Sequence, residues 1–371
     1  MPLVSRIRTA AAAHPRRWAS WAAIAVIPLT FLAVSPVLGA GGQLSAGCAT
    51  WIALAALLEL FSMLGFVVVF KLVFGPRTRW RHALAAGVRA LGATAVLPLG
   101  GLAGPPLGAR STSAKDRSSL TRSAIAFAVI TNFPGVIVLG ALSLLLWIGL
   151  LDGPRGVALT LPPAGLTLAA VTALGLIRRW SSPDWRRSHG RWFRWGGRPI
   201  AAALTVVREG IDEACRLVIN GNWKLLGALG YYAFDNAVLW AAFRAYGHAP
   251  RLSVVVMGYL VGSLGAALPL PGGIGAVEGG LIGALVLYGA PAGPAVGAVL
   301  LYRSISLALP IAFGAGAWAI LPAARLRHLG PTVRTRSRPA PTRRSMSSSS
   351  QRWSEVRRKA SGSPRPSKAR P

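Results

Sequence analysis

Residues 268–280 read Leu-Pro-Leu-Pro-Gly-Gly-Ile-Gly-Ala-Val-Glu-Gly-Gly, and they interrupt a run with no charge from Ser253 to Val277. Proline removes a backbone donor, clustered glycine loosens a helix, and a glutamate is costly in lipid. A bilayer accepts broken backbone only where protein or a water-filled cavity covers it. The segment therefore reads as the wall of a polar site inside a membrane protein.

The rest of the chain fits that setting. Its 371 residues are 53% hydrophobic and 14% charged, with mean hydropathy +0.50, the profile of an all-α polytopic membrane protein. The net charge of +31 does not mark a nucleic-acid binder, because the basic residues lie between and after apolar spans. They read instead as topology signals and contacts to anionic lipid.

Eight apolar segments are expected, about six full spans and two re-entrant broken hairpins. Residues 1–17 form a basic cytoplasmic N-terminus, and 18–177 a first membrane half with full spans at 18–40, 48–70, 123–151 and 157–177. Residues 83–109 are apolar but broken around Pro98, Gly100, Gly101, Gly104 and Pro105. Basic clusters flank this segment on both sides, so it enters and leaves on one side. Arg89 in its first arm is expected to reach for the interface or a lipid phosphate.

Residues 178–222 are expected to form a basic cytoplasmic loop followed by an amphipathic helix on the inner leaflet. Ile200, Leu204, Val207, Ile211, Cys215 and Val218 make the apolar face of that helix. The second membrane half, 223–322, holds spans near 225–243 and 296–321 around the broken segment 253–290, which is either a hairpin or two spans. Residues 323–371 form a Ser/Pro/Arg-rich cytoplasmic tail, expected to be disordered and to touch anionic lipid. The resulting topology puts both termini in the cytoplasm. It leaves only Arg155, Arg244 and Arg251 outside, with Arg89 and Arg303 at or in the membrane.

The two halves share a pattern. Phe70-Lys71 matches Phe243-Arg244, Pro98 matches Pro269, and Pro134 matches Pro310. Each unit is span, broken hairpin, span, and the two start on opposite sides, which makes them inverted repeats. Paired Gly/Pro-broken segments are the sequence mark of a midplane site in a transporter.

Glu59, Asp235, Glu278 and Arg303 fall inside apolar segments. Each charge costs about 2.5–3.5 kcal/mol at a span centre, so they need partners, a proton or a bound ion. An Arg303–Glu278 pair either fixes helix register or leaves Arg303 to grip a lipid phosphate, for which a guanidinium fork is well shaped. The breaks at Gly100-Gly101 and Gly272-Gly273-Ile274-Gly275 would aim half-helix N-termini at the same anion, or they allow close helix packing. Asp235 has Tyr231, Tyr232 and Asn236 beside it. Cys48 and Cys215 carry no metal or redox spacing, and the five histidines form no ligand set. No Walker loop or GxSxG motif is present, so no cofactor, metal or ATP hydrolysis is expected.

The order Tyr231…Asp235…Trp240, Gly258-Tyr259, Leu268-Pro269-Leu270-Pro271-Gly272-Gly273-Ile274-Gly275, Glu278-Gly279 and Tyr302-Arg303 resembles the lysylphosphatidylglycerol synthase transmembrane family, the flippase-like part of the bacterial multiple peptide resistance factor. The resemblance is loose over 18–322 and good over 225–315. It implies an inner-membrane protein that moves an aminoacylated or other anionic phospholipid between leaflets. Arg303, Glu278, Asp235, Gly272, Gly273, Gly275, Gly100 and Gly101 would meet the headgroup, with Glu59, Arg89 and Tyr302 as secondary contacts. The soluble aminoacyl-transferase domain of the full-length synthases has no counterpart in this sequence, so lysyl transfer is not expected. Related chains tied to polyprenyl-linked sugars leave the lipid open. One rival reading is a non-transporting membrane partner that docks a cytoplasmic enzyme through 178–222 and the tail. Another is a membrane-embedded transferase acting on lipid phosphate. The Ala/Arg/Gly-rich composition points to a GC-rich bacterium.

Overall fold

The computed structural model describes residues 47–97, 100–110, 117–154, 156–180, 198–248 and 250–320. The expected first span at 18–40, Pro98, the stretch 181–197 and the tail from 321 lie outside the described residues. Among the described residues ten α-helices follow one another: α1 (Cys48–Phe74), α2 (Trp80–Val96), α3 (Gly100–Ala109), α4 (Arg117–Trp147), α5 (Val157–Trp180), α6 (Arg198–Ile219), α7 (Leu226–Ala245), α8 (Leu252–Gly262), α9 (Ala276–Leu287) and α10 (Ala292–Ile320). The fold is all-α, with no strand among the described residues.

Four helices are long and apolar enough to cross a bilayer: α1, α4, α5 and α10. That is fewer than the six spans expected. One of the missing two falls outside the described residues. The other is α7, whose 20 residues reach about 30 Å, enough for a bilayer core. Asp235, Asn236 and Arg244 dilute its apolar character, and the first two are buried against neighbouring helices.

The breaks have a local cause. Leu97 and Leu268 each precede a proline and each adopts an extended conformation, with ψ of 145° and 137°. Proline disfavours helical backbone in the residue before it, so α2 and the 3-10 turn after α8 stop there. Beyond each break the chain folds back on its own arm. In the first hairpin a Cβ on Gly104 would meet Thr94 and Ala90, and one on Gly108 would meet Ala86 and Ala90. In the second, Gly258 faces Leu285, Gly262 faces Leu281 and Gly280, and Gly265 faces Ala276. The partner number falls as the glycine number rises, so both pairs of arms run antiparallel. The returning arms have 10 and 12 residues, about 15 and 18 Å, well short of the ~30 Å of a bilayer core.

The two halves meet along α1 and α7. Phe61 stacks near Phe234, Ser62 donates to the Tyr231 carbonyl at 3.2 Å, and Gly65 lies against Gly227. This register is antiparallel, as inverted repeats require. The hairpins exchange neighbours in the same sense, with α2 packing on α10 and α8 on α4.

Arg89 does not reach an interface. It is fully buried, and its Nε and Nη2 donate to the Ala317 carbonyl at 3.1 and 2.9 Å. Its guanidinium lies 4.9 Å from the Trp318 ring. Ala317 is in the last turn of α10, where carbonyls lack helical partners and favour a cation. Arg89 therefore ties the first hairpin to the end of the last helix. Arg89→Ala should lower stability by about 2–4 kcal/mol, through lost charged hydrogen bonds and packing. A thermal unfolding midpoint in detergent equal to wild type would show that this lock carries nothing.

The amphipathic helix α6 packs by one side against α4 and α5. Gly210 sits against Ile125 of α4, and Ile211 and Ala214 are buried. Arg122–Glu209 at 3.4 Å and Arg178–Asp212 at 3.0 Å pair it with α4 and α5. Leu204 and Val218, assigned to the apolar face, are exposed. The side turned inward is centred on Gly210, Ile211 and Ala214, because the small residues permit close approach to α4.

Candidate functional site

The two breaks and the α1–α7 pair surround one cavity of about 670 Å³. Its wall takes Leu97 and Gly101 from the first break and Leu270, Gly272 and Gly273 from the second. Asn132 of α4 and Leu166 of α5 close other sides. The charged residues on the wall are Glu59, Asp235 and Arg303, three of the four that the sequence places inside apolar segments.

Arg303 is held from two directions. Its Nε donates to Glu278 Oε1 at 2.6 Å, and its Nη2 donates to the Gly272 carbonyl at 2.6 Å. Glu278 Oε2 in turn accepts the Gly275 N–H at 2.6 Å. The paired side chains are 12% and 17% exposed, so the contact is shielded without being sealed. Gly272, Gly273 and Gly275 all have positive φ, at 60°, 67° and 85°. That backbone, natural to glycine, turns the Gly272 carbonyl toward the guanidinium.

This arrangement changes one expectation. The N-terminus of α9 does not point at an open anion site, because the Glu278 carboxylate already occupies it. Glu278 itself is not on the cavity wall. It stands behind Arg303 and fixes the guanidinium, which is the group presented to the cavity. On the opposite break, a Cβ at Gly101 would meet nothing within 4 Å, so the start of α3 is open to a ligand. Gly100 begins the same helix.

Asp235 is held by two hydroxyls. Its carboxylate accepts the Tyr302 hydroxyl at 3.1 and 3.0 Å and the Tyr259 hydroxyl on Oδ2. Tyr259 and Tyr302 come from α8 and α10, so the carboxylate joins three helices. Tyr231, Tyr232, Tyr259 and Tyr302 continue one into the next at edge-on angles, with ring centroids 5.7–6.3 Å apart. Tyr232 donates to Asn132 Oδ1 at 3.3 Å. Glu59 is 4% exposed and reaches the cavity from α1.

Two contributors were not singled out from the sequence. Asn132 sits two residues before Pro134, and a polar amide next to a helix-interrupting proline was the available signal. Ser306 lies one turn beyond Arg303 on the same wall, and its hydroxyl is buried without a hydrogen-bond partner. Spacing of three from a buried arginine was the signal there. Cys48 and Cys215 are free thiols, and no metal-ligating cluster occurs among the described residues.

These features define a polytopic helical membrane protein with a polar cavity between two broken hairpins. The chain belongs to the family described as lysylphosphatidylglycerol synthase TM region, whose model matches residues 18–314. Comparison with curated proteins gives no match.

Proposed function

We propose that this protein translocates an anionic or aminoacylated phospholipid between the leaflets of a bacterial plasma membrane, with both termini in the cytoplasm. The observation that carries this reading is the cavity of about 670 Å³ with Arg303 on its wall, at the junction of the two broken hairpins. Cavities of roughly 300–1,000 Å³ suit small ligands, and a lipid headgroup is of that size. The guanidinium, backed by Glu278, offers a fixed cation to the phosphate. Ser306 and the open start of α3 at Gly101 add donors on nearby walls. The apolar parts of the same wall, Leu97, Leu166 and Leu264 among them, fit the glycerol and upper acyl region.

The test is leaflet exchange by the purified full chain in liposomes. Fluorescent phosphatidylglycerol in the inner leaflet becomes accessible to dithionite only if it crosses. Wild type should exceed protein-free liposomes, and deletion after Pro322 should keep most of that rate. Loss of exchange on tail deletion, with Arg303 dispensable, would favour a scaffold for a cytoplasmic enzyme. No exchange with phosphatidylglycerol, an aminoacylated probe or a polyprenyl-linked probe would sink the translocator reading.

A further inference from the structure

Two carboxyls stand on the cavity wall without a cation of their own. Glu59 is 4% exposed and Asp235 is 6% exposed. Their helices fix their relation: Phe61 meets Phe234 and Ser62 meets Tyr231 across the antiparallel α1–α7 pair, so Glu59 stands opposite Asp235. Among the described residues, Arg303 is the only basic side chain on this wall, and it is committed to Glu278 and the Gly272 carbonyl. No ion pair among the described residues reaches Glu59 or Asp235. The other groups turned toward them are Tyr231 and Tyr232 from α7, Tyr259 from α8, Tyr302 from α10 and the neutral Asn132 from α4. Arg89 of α2 points away, to Ala317.

Hydrogen bonding separates the two acids. Asp235 accepts from Tyr259 and Tyr302, and donors aimed at a carboxylate stabilise its ionised form. Glu59 Oε2 is buried and has no hydrogen-bond partner. An ionised oxygen left bare in that position bears its full desolvation cost, whereas the neutral acid avoids most of it. Two carboxylates that face each other in a low-dielectric site also oppose joint ionisation.

We propose that Glu59 is the proton-carrying group of this cavity, neutral while Asp235 bears the charge, and that its exchange of a proton is coupled to lipid movement. The coupling, though not the proton site itself, rests on the translocator reading. The step is an acid dissociation. The O–H bond of Glu59 breaks, the electron pair stays on the carboxylate, and the proton passes to water entering the opened cavity. The cavity then carries one more negative charge, which disfavours an anionic headgroup beside it, so that release of the lipid follows release of the proton. Protonation restores affinity and resets the site. The net result is one proton carried with the anionic headgroup in each cycle.

The site can be read on the wild-type chain, purified whole in detergent. Dicyclohexylcarbodiimide attacks protonated carboxyls in apolar surroundings, and mass spectrometry locates the adduct. Glu59 should be modified while Asp235 and Glu278 are spared, with labelling falling about tenfold per pH unit once the site deprotonates. Infrared difference spectra between wild type and Glu59→Gln should contain a carboxylic-acid carbonyl band. Absence of both signals from mildly acidic to mildly alkaline pH would show an ionised Glu59 and overturn the proposal. In liposomes, an imposed pH gradient should raise wild-type exchange several-fold, and Glu59→Gln should lose that acceleration. Exchange that ignores the gradient overturns the coupling whatever the label shows. Label on Glu59 in a protein that moves no lipid would instead remove the translocator reading and leave the proton site standing.

Discussion

Arg303→Ala should bring phosphatidylglycerol exchange down to that of protein-free liposomes, the largest functional effect expected from any single change. The substitution removes the fixed cation on the cavity wall and cuts the link between Glu278 and the Gly272 carbonyl. It also strands a carboxylate that is 17% exposed. Breaking a buried pair by removing one partner costs about 3–5 kcal/mol, and partial exposure puts this case at the low end. Loss of activity by this variant alone would therefore mix misfolding with a lost headgroup contact. The double variant Arg303→Ala/Glu278→Gln separates them. A glutamine oxygen can still accept the Gly275 N–H, and no uncompensated charge remains. Its thermal midpoint in detergent should recover most of the loss, while exchange stays at background. Arg303→Lys keeps the charge but cannot reach both Glu278 and Gly272 with fixed geometry, so it should retain only a fraction of the rate. Recovery of exchange by the double variant would mean that Arg303 is a structural clamp and no headgroup ligand.

How much of this was legible in the sequence depends on what kind of partner each residue has. Glu278 and Arg303 could be paired from the sequence because a charge in an apolar run demands an opposite charge, and few were available. Asp235 was found by the same demand, but its partners are hydroxyls 24 and 67 residues away, on α8 and α10. A tyrosine in an apolar helix carries no sign that its hydroxyl serves a distant carboxylate. Arg89 was harder still. Its partner is a backbone carbonyl 228 residues on, and backbone has no sequence signature. The prolines at 98 and 269 announced both breaks, since proline disfavours helical backbone in the residue before it, although Pro134 and Pro310 are carried inside helices. The inward side of α6 was only partly legible, because apolar periodicity marks large side chains such as the buried Ile211, while Gly210 and Ala214 share the contact.

Glycines raise the same difficulty, and the pair at 279–280 turns it into a sharp expectation. The sequence treats Gly279 and Gly280 alike. In the structure a Cβ on Gly279 would meet nothing within 4 Å, whereas one on Gly280 would lie 2.6 Å from the Gly262 carbonyl oxygen. The reverse contact is as tight, with a Cβ on Gly262 at 2.5 Å from Leu281 Cα and 2.7 Å from its nitrogen. Both sides of this contact are backbone, so no side chain can swing away. The arms of the second hairpin touch there, and together they hold the break that carries Gly272 and Glu278. Gly262→Ala should cost about 1–3 kcal/mol by overpacking, and Gly262→Val more, because its branches must separate the arms. Exchange should fall to near background in the valine variant, since a separated α9 no longer holds Glu278 against Arg303. Gly279→Ala should stay within about 1 kcal/mol of wild type, helped slightly by better helix propensity. Thermal midpoints in detergent give the stabilities. Hydrogen exchange of the α9 amides reports the arm itself, and it should quicken in Gly262→Val and not in Gly279→Ala. Equal protection of α9 in the two variants would show that the arms do not meet at this point, and the cavity would need another support.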